Sequence, residues 1–281
     1  MDAVVFLNKP AGMSSFQAAA KCRRIFSEKK AGHTGTLDPN ATGLLVVLLG
    51  KYTKLVPYCA GDHKTYEADF CFGKATDTED IWGTVTEERE PRVHTAEELE
   101  AACLPLIGES VQIPPMYSAV KQNGRKLYEL ARKGVTVERK ERKITVEELS
   151  VKQTGENSYH MHAVVSGGTY IRTLICDYAS SLGELACMTA LVRTGIGNVT
   201  LDQACTLEQL AEGYIPEGDP KMILDPKYPL VETDRTDLIY TGRAIKMPDC
   251  GEQVIFTHEG EILAAYGLQE DGLYHCLRGL F

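Results

Sequence analysis

The sequence predicts a chain of the α/β (α+β) class, and three observations carry that prediction. Residues 64–72 alternate, with Tyr66, Ala68, Phe70 and Phe72 on one face, as a half-buried strand requires. Residues 169–182 instead space Ile171, Leu174, Ile175, Tyr178, Ala179 and Leu182 at helical intervals. Residues 230–281 hold short apolar runs cut by glycine turns, which predict a small β-rich appendage.

Taken in order, Val4–Leu7 reads as a short buried strand that ends at Asn8-Lys9-Pro10. Ser14 and Ser15 then offer a cap for an amphipathic helix reaching about Phe26. Next comes Gly32-His33-Thr34-Gly35-Thr36-Leu37-Asp38-Pro39-Asn40-Ala41-Thr42-Gly43, whose glycines and Asp-Pro pair specify a shaped loop. It runs into the buried strand 44–49, and residues 51–60 suit a short helix. After the 64–72 strand, 73–80 is a polar turn leading to a second strand near 83–88, so a hairpin is expected. Thr95-Ala96-Glu97-Glu98 opens a helix that reaches Cys103. The stretch 111–121 is extended and stiffened by Pro114 and Pro115, and Asn123-Gly124 turns it into a helix over 126–133. Strands are expected at 143–151, 159–166 and 191–200, and a short helix at 206–211. Residues 213–229, with Pro216, Gly218, Pro220 and Pro226, read as a linker before the appendage at 230–281.

Composition narrows the function classes. No apolar run approaches membrane-spanning length. Nine cysteines without a C-x-x-C pair argue against a disulfide framework or a zinc site and for reduced thiols in a cytoplasm. A phosphate loop is excluded by spacing, since Gly50-Lys51 is followed by Tyr52 where Ser or Thr is needed. His160 and His162 share a strand face but lack a third ligand at plausible spacing. The total charge of −9 does not suggest a nucleic-acid binder, yet residues 121–143 carry nine Lys/Arg against three Glu. That local balance of +6 suits either a docking patch or a solvated surface.

Asp38 is the candidate reactive group, because a shaped loop held by a buried strand presents a side chain in one geometry. From the residues alone, Asp-Pro as a simple turn is the competing reading. Six segments in register decide between them by resemblance. The loop 32–43, the early Asn8-Lys9-Pro10-Ala11-Gly12-Met13-Ser14-Ser15, the strand with Lys64-Thr65-Tyr66, and Gly73–Gly83 are four of them. Gln112–Lys121 and Gly167-Gly168-Thr169-Tyr170-Ile171-Arg172-Thr173-Leu174 are the others. Together they resemble the TruB-type tRNA pseudouridine-55 synthases over roughly residues 4 to 200.

The resemblance implies the pseudouridine synthase fold: a mixed, mainly antiparallel sheet with flanking helices and a catalytic cleft, plus a PUA-like C-terminal domain. It implies a catalytic domain over 1–212 with an RNA-binding insertion at about 112–143, a linker at 213–229 and a short PUA-like module at 230–281. Asp38 would be the nucleophile, Arg172 would keep its carboxylate ionised, and Tyr66 would meet the uracil and serve in proton transfer. Tyr170 and Leu191 would line the base pocket, and His33 would fill the space the flipped base vacates. Lys121, Arg125, Lys126, Arg132 and Lys133 would contact phosphates, with binding that weakens in salt. No cofactor and no metal are implied. The partner would be the T stem-loop of tRNA, bound by a cytoplasmic monomer with no membrane contact. A catalytically silent tRNA-binding or tRNA-folding protein on the same scaffold is the alternative, and the intact Asp38, Tyr66 and Arg172 set disfavours it.

Overall fold

The computed structural model describes residues 1–59, 63–122, 124–216 and 218–281, which form two compact units. The first combines Met1–Pro39, Gly43–Gly61 and Gly197–Phe281, and the second Asn40–Thr42 with Asp62–Ile196.

In the first unit, strand β1 (Ala3–Lys9) leads into helix α1 (Ser15–Ile25). Ser14 caps α1, its hydroxyl accepting from Gln17 N while the Gln17 side chain reaches back to the Ser14 amide. Strand β2 (Ala31–Thr34) takes in Gly32 and His33, which the glycine pattern had placed in a loop. The extended backbone is selected there by pairing, because Ala31–Thr34 lie antiparallel along Leu49–Val46 of strand β3 (Thr42–Leu49). β1 also pairs antiparallel with β3, so Leu44–Leu49 are fully buried. A 3₁₀ helix follows over Gly50–Tyr58; Ala60, the end of the expected helix, lies outside the described residues.

The second unit begins with β4 (Lys64–Phe72), whose bounds match the alternation in the sequence. The expected hairpin forms differently. Gly73, at φ 83°, ends β4, and a separate ribbon pairs β5 (Lys74–Thr76) with β6 (Val85–Glu88). Helix α2 (Ala96–Ala101) is capped by Thr95, and β7 (Gly108–Gln112) follows. A short ribbon of β8 (Lys121–Gln122) and β9 (Arg125–Lys126) precedes helix α3 (Leu127–Ala131). Of the turn expected between them, Asn123 lies outside the described residues. Then come β10 (Arg142–Gly155), β11 (Ser158–Val165), helix α4 (Ile171–Ser181) and β12 (Ala186–Ile196). These strands order as β12-β4-β11-β10-β7, and each neighbouring pair is antiparallel.

One face of β4 is aromatic core. Tyr178 of α4 packs its ring 5.9 Å from Phe70 and 6.4 Å from Phe72, and its hydroxyl donates to Leu99 O at 3.0 Å. The opposite face carries charge. His160 bonds Asp69 (2.7 Å) and Glu67 (2.8 Å), and His162 bonds Glu67 (2.7 Å). The bond to Asp69 is the largest influence raising the His160 pKa, while burial acts against it. Burial pushes Glu67 upward, but the bonds from His162 and His160 hold it below its ordinary value. A histidine whose folded pKa is raised stabilises fully below its unfolded value of about 6.5 and loses that contribution as pH climbs through the folded value. We therefore expect His160→Gln to lower the urea midpoint at about pH 5.5, with the gap to wild type narrowing as pH climbs through the raised folded value.

The chain then returns to the first unit through β13 (Val199–Thr200) and helix α5 (Leu207–Ala211), capped by Thr206. Residues 218–225 pack along that unit, whereas 213–215 are exposed. Gly218 bridges Val4, Leu224 bridges Cys59, and Ile223 and Asp225 are buried; Glu217 lies outside the described residues. The appendage comprises β14 (Leu230–Glu232), helix α6 (Thr236–Tyr240), β15 (Gln253–His258), β16 (Glu261–Leu268) and β17 (Tyr274–Gly279). They form one four-stranded sheet, with β14 parallel to β15 and the rest antiparallel, over a core of Ile239, Val254, Phe256, Tyr266 and Tyr274.

Candidate active site

Asp38 sits, half-buried, on a loop fixed at both of its neighbours. On one side the buried Ser15 hydroxyl donates to Leu37 O (3.1 Å) and accepts from Leu37 N (2.8 Å). On the other, the Lys9 ammonium donates to Pro39 O (3.1 Å), as well as to Pro10 O (2.9 Å) and Met13 O (2.8 Å). Lys9 is fully buried and lies in register opposite Gly43 at the end of β1. An ammonium has three donors, and here three carbonyls take them. Gly35, at φ 69°, supplies the left-handed turn that lets the chain leave β2 for this loop. His33 is half-buried on β2, opposite Val47.

The cage predicts its own cost. Lys9→Met leaves those carbonyls without their buried donor and is expected to lower unfolding free energy by about 1–3 kcal/mol. The denaturant midpoint reads that loss. Faster amide exchange at Leu37 would report the loosening of the Asp38 loop.

The second unit gathers the other candidates on one sheet face and one helix end. Tyr66 and Leu191 are both buried; Leu191 pairs in register with Ala68, two residues along β4 on the same face as Tyr66. Arg172, in the first turn of α4, is 3% exposed. Its guanidinium donates through Nη1 to Thr78 O (2.5 Å) and through Nη2 to Tyr117 O (2.8 Å). Tyr170 is the residue before α4, and the Gln112 amide holds both of its backbone groups, accepting from N (2.8 Å) and donating to O (3.2 Å). The Arg142 guanidinium lies 5.9 Å from the centre of the Tyr170 ring.

The basic run divides into two parts. Lys121, Arg125, Arg132 and Lys133 are exposed, and Lys126 is half-exposed. Lys126 and Arg132 flank the Tyr128 ring at 5.4 and 5.3 Å, which arranges cations around an aromatic. Arg139 and Arg142 instead donate to the carbonyls of Pro114 (3.1 Å) and Gly168 (3.2 Å), so they brace the fold.

Three structural contributors escape the sequence reading. Lys9 and Gln112 lie within the segments that carry the resemblance but are given no role there, and Arg193 does not appear at all. Arg193 is fully buried and stands opposite Tyr66 in register. For Lys9 and Arg193 the available signal was a charged residue within a mainly apolar strand, since Lys and Arg are almost never fully buried without a partner; Gln112 carried no such signal.

Comparison with known proteins identifies the relatives of the chain. Residues 23–171 match the family described as TruB family pseudouridylate synthase (N terminal domain). A protein of Oenococcus oeni named tRNA pseudouridine synthase B is 40% identical over 290 residues, covering 97% of this chain and 96% of its own. The Bacillus subtilis protein of that name is 37% identical over 95% of this chain and 93% of its own. Among solved structures, a Cbf5-Nop10-Gar1 complex contains a chain with TM-score 0.70 and 24% identity, covering 99% of this chain and 84% of that one. At that identity the likeness speaks for the fold.

Proposed function

Because the chain belongs to the TruB family of pseudouridylate synthases, we propose that it converts uridine 55 in the T loop of tRNA to pseudouridine. The reaction breaks the bond from ribose carbon 1′ to uracil N1, joins carbon 1′ to carbon 5, releases the carbon 5 proton to solvent and protonates N1. Asp38 is the nucleophile, Tyr66 receives the base and serves in proton transfer, and Arg172 supplies the cation that favours an ionised carboxylate. Tyr170 and Leu191 line the base pocket. His33 occupies the place of the flipped base, whose unstacking costs a few kcal/mol.

The observation that carries this reading is the fixing of Asp38 from both sides, by Ser15 at Leu37 and Lys9 at Pro39. A turn needed only for chain reversal has no use for a buried ammonium. Covalent catalysis does need a carboxylate held in one geometry. Residues 1–212 form the catalytic part in this reading, and the insertion at about 112–143 closes on the T stem-loop. Lys121, Arg125, Lys126, Arg132 and Lys133 meet phosphates there. RNA loops are recognised largely by shape and splayed bases, so a modest basic surface suffices on an acidic chain. The protein works as a monomer without cofactor or metal, in a cytoplasm that keeps its nine cysteines reduced; all nine are free thiols.

The test is a single assay with full-length protein, unmodified tRNA transcript, no added cofactor and tritium at carbon 5 of uridine. Release of label together with pseudouridine at position 55 is expected. Binding of the transcript without release would instead support a catalytically silent tRNA-folding protein and overturn the assignment.

A further inference from the structure

The Arg172 guanidinium donates to two backbone carbonyls, so its placement depends on the segments that carry them. One of these, Thr78 O, belongs to the turn between β5 and β6. That turn is closed internally by Asp80. Its main-chain carbonyl accepts from Thr76 Oγ1 (2.7 Å), and its carboxylate accepts from Thr78 Oγ1 (2.6 Å) and Trp82 N (3.1 Å). The turn is also sewn to β12, where Met188 N donates to Glu79 O (3.1 Å) and Ile81 N donates to Met188 O (2.9 Å).

Glu79 differs from the other acids of the turn. Its backbone is left-handed, at φ 63°, an uncommon state for a residue with a side chain. Its carboxylate leaves the turn and accepts from the Thr173 hydroxyl of α4 at 2.7 Å. Thr78 and Glu79 are consecutive, and so are Arg172 and Thr173. The two hydrogen bonds are therefore adjacent rungs between the turn and the first turn of α4, one through the guanidinium and one beside it.

We propose that Glu79 and Thr173 are positioning residues for Arg172, forming a two-rung clasp that fixes the direction of its guanidinium. The proposal rests on the functional reading of Arg172 given above. The backbone bonds to β12 anchor the turn on one side, and the Glu79–Thr173 rung ties it to α4 directly beside the Arg172 bond, so Thr78 O is held against both elements. Burial pushes the Glu79 carboxyl above its ordinary range, Arg172 and Arg139 pull it down, and Asp177 pushes it up. A half-buried carboxylate that accepts from Thr173 beside the buried Arg172 fits a role in fixing that charged neighbour.

Steady-state kinetics on the full chain with the tRNA transcript test the clasp. Thr173→Val keeps shape and removes the hydroxyl, and Glu79→Ala removes the acceptor. Each is expected to lower kcat by about 10- to 100-fold with KM within about threefold, as a misplaced catalytic group does. Thr173→Ser restores the hydroxyl and is expected to recover most of the loss, which a purely steric role for Thr173 would not predict. The double variant is expected to be no worse than the poorer single one, since both remove the same bond. Unchanged kcat in both single variants, a change in KM alone, or losses that multiply would each overturn the clasp. If Glu79→Ala unfolds, the Thr173→Val and Thr173→Ser pair decides by itself. Arg172→Lys, run alongside, separates the two layers. A silent Arg172→Lys overturns the functional reading of Arg172, whereas a damaging Arg172→Lys with silent Thr173→Val overturns the clasp alone.

Discussion

Asp38→Asn is expected to reduce pseudouridine formation by on the order of a thousandfold or more, while tRNA affinity stays within a few-fold of wild type. The amide keeps the size and hydrogen-bonding reach of the carboxylate and discards its nucleophilic charge. Because Ser15 and Lys9 hold the flanking residues, the substitution should leave the loop where it is. Single-turnover release of tritium measures the chemistry, and filter binding measures affinity. Full activity in Asp38→Asn would remove the nucleophile from the proposal. Asp38→Glu sharpens the result. A loop fixed at Leu37 and Pro39 cannot retreat to accommodate one more methylene, so a loss of about a hundredfold is expected there too.

Arg172→Lys carries the second large effect, a fall in kcat of about a hundredfold. A guanidinium spans two acceptors with separate nitrogens, and Arg172 uses both, at Thr78 O and Tyr117 O. A lysine ammonium donates from a single nitrogen on a shorter side chain and lacks the planar fork that reaches Thr78 O and Tyr117 O from separate nitrogens. At 3% exposure no solvent replaces a lost bond. Stability should drop as well, by about 1–3 kcal/mol, because a buried carbonyl loses its donor. Comparing kcat with the thermal midpoint separates the two consequences. A variant that loses stability but keeps kcat would make Arg172 a structural brace like Arg139.

Much of this was legible in the chain because periodicity reports burial directly. The alternation of 64–72 and the helical spacing of 169–182 gave elements whose observed bounds differ by no more than two residues at either end. Pairing partners were less legible, since they depend on residues far away in sequence. Ala31–Thr34 became a strand because Val46–Leu49 offered an edge, which local glycine content could not reveal. The strand expected to begin at Leu191 begins at Ala186, where register with Phe72 rather than local composition sets the start. For the site, Asp38, Tyr66 and Arg172 stood out through motif resemblance. Lys9 and Gln112 did not, because their work is done by a side chain reaching backbone carbonyls and amides, and backbone groups carry no sequence signature.

The composition of the first unit has a consequence for how the protein is made. Its core joins Val5 and Leu7 of β1 and Ala18, Ala19 and Cys22 of α1 to Cys205, Leu207 and Leu210. The Cys205 thiol reaches the carbonyl of Phe6 across 199 positions of chain. A ribosome adding about 5–20 residues per second would leave β1 waiting roughly 10–40 s for that partner. The second unit, nearly continuous in sequence, is complete before the wait ends. Synthesis thus delivers the Arg172 and Tyr66 half as a finished piece first. The half that carries Asp38 closes only when its distant segment leaves the ribosome, so the nascent chain holds the Asp38 carboxylate on an unfinished scaffold throughout that wait.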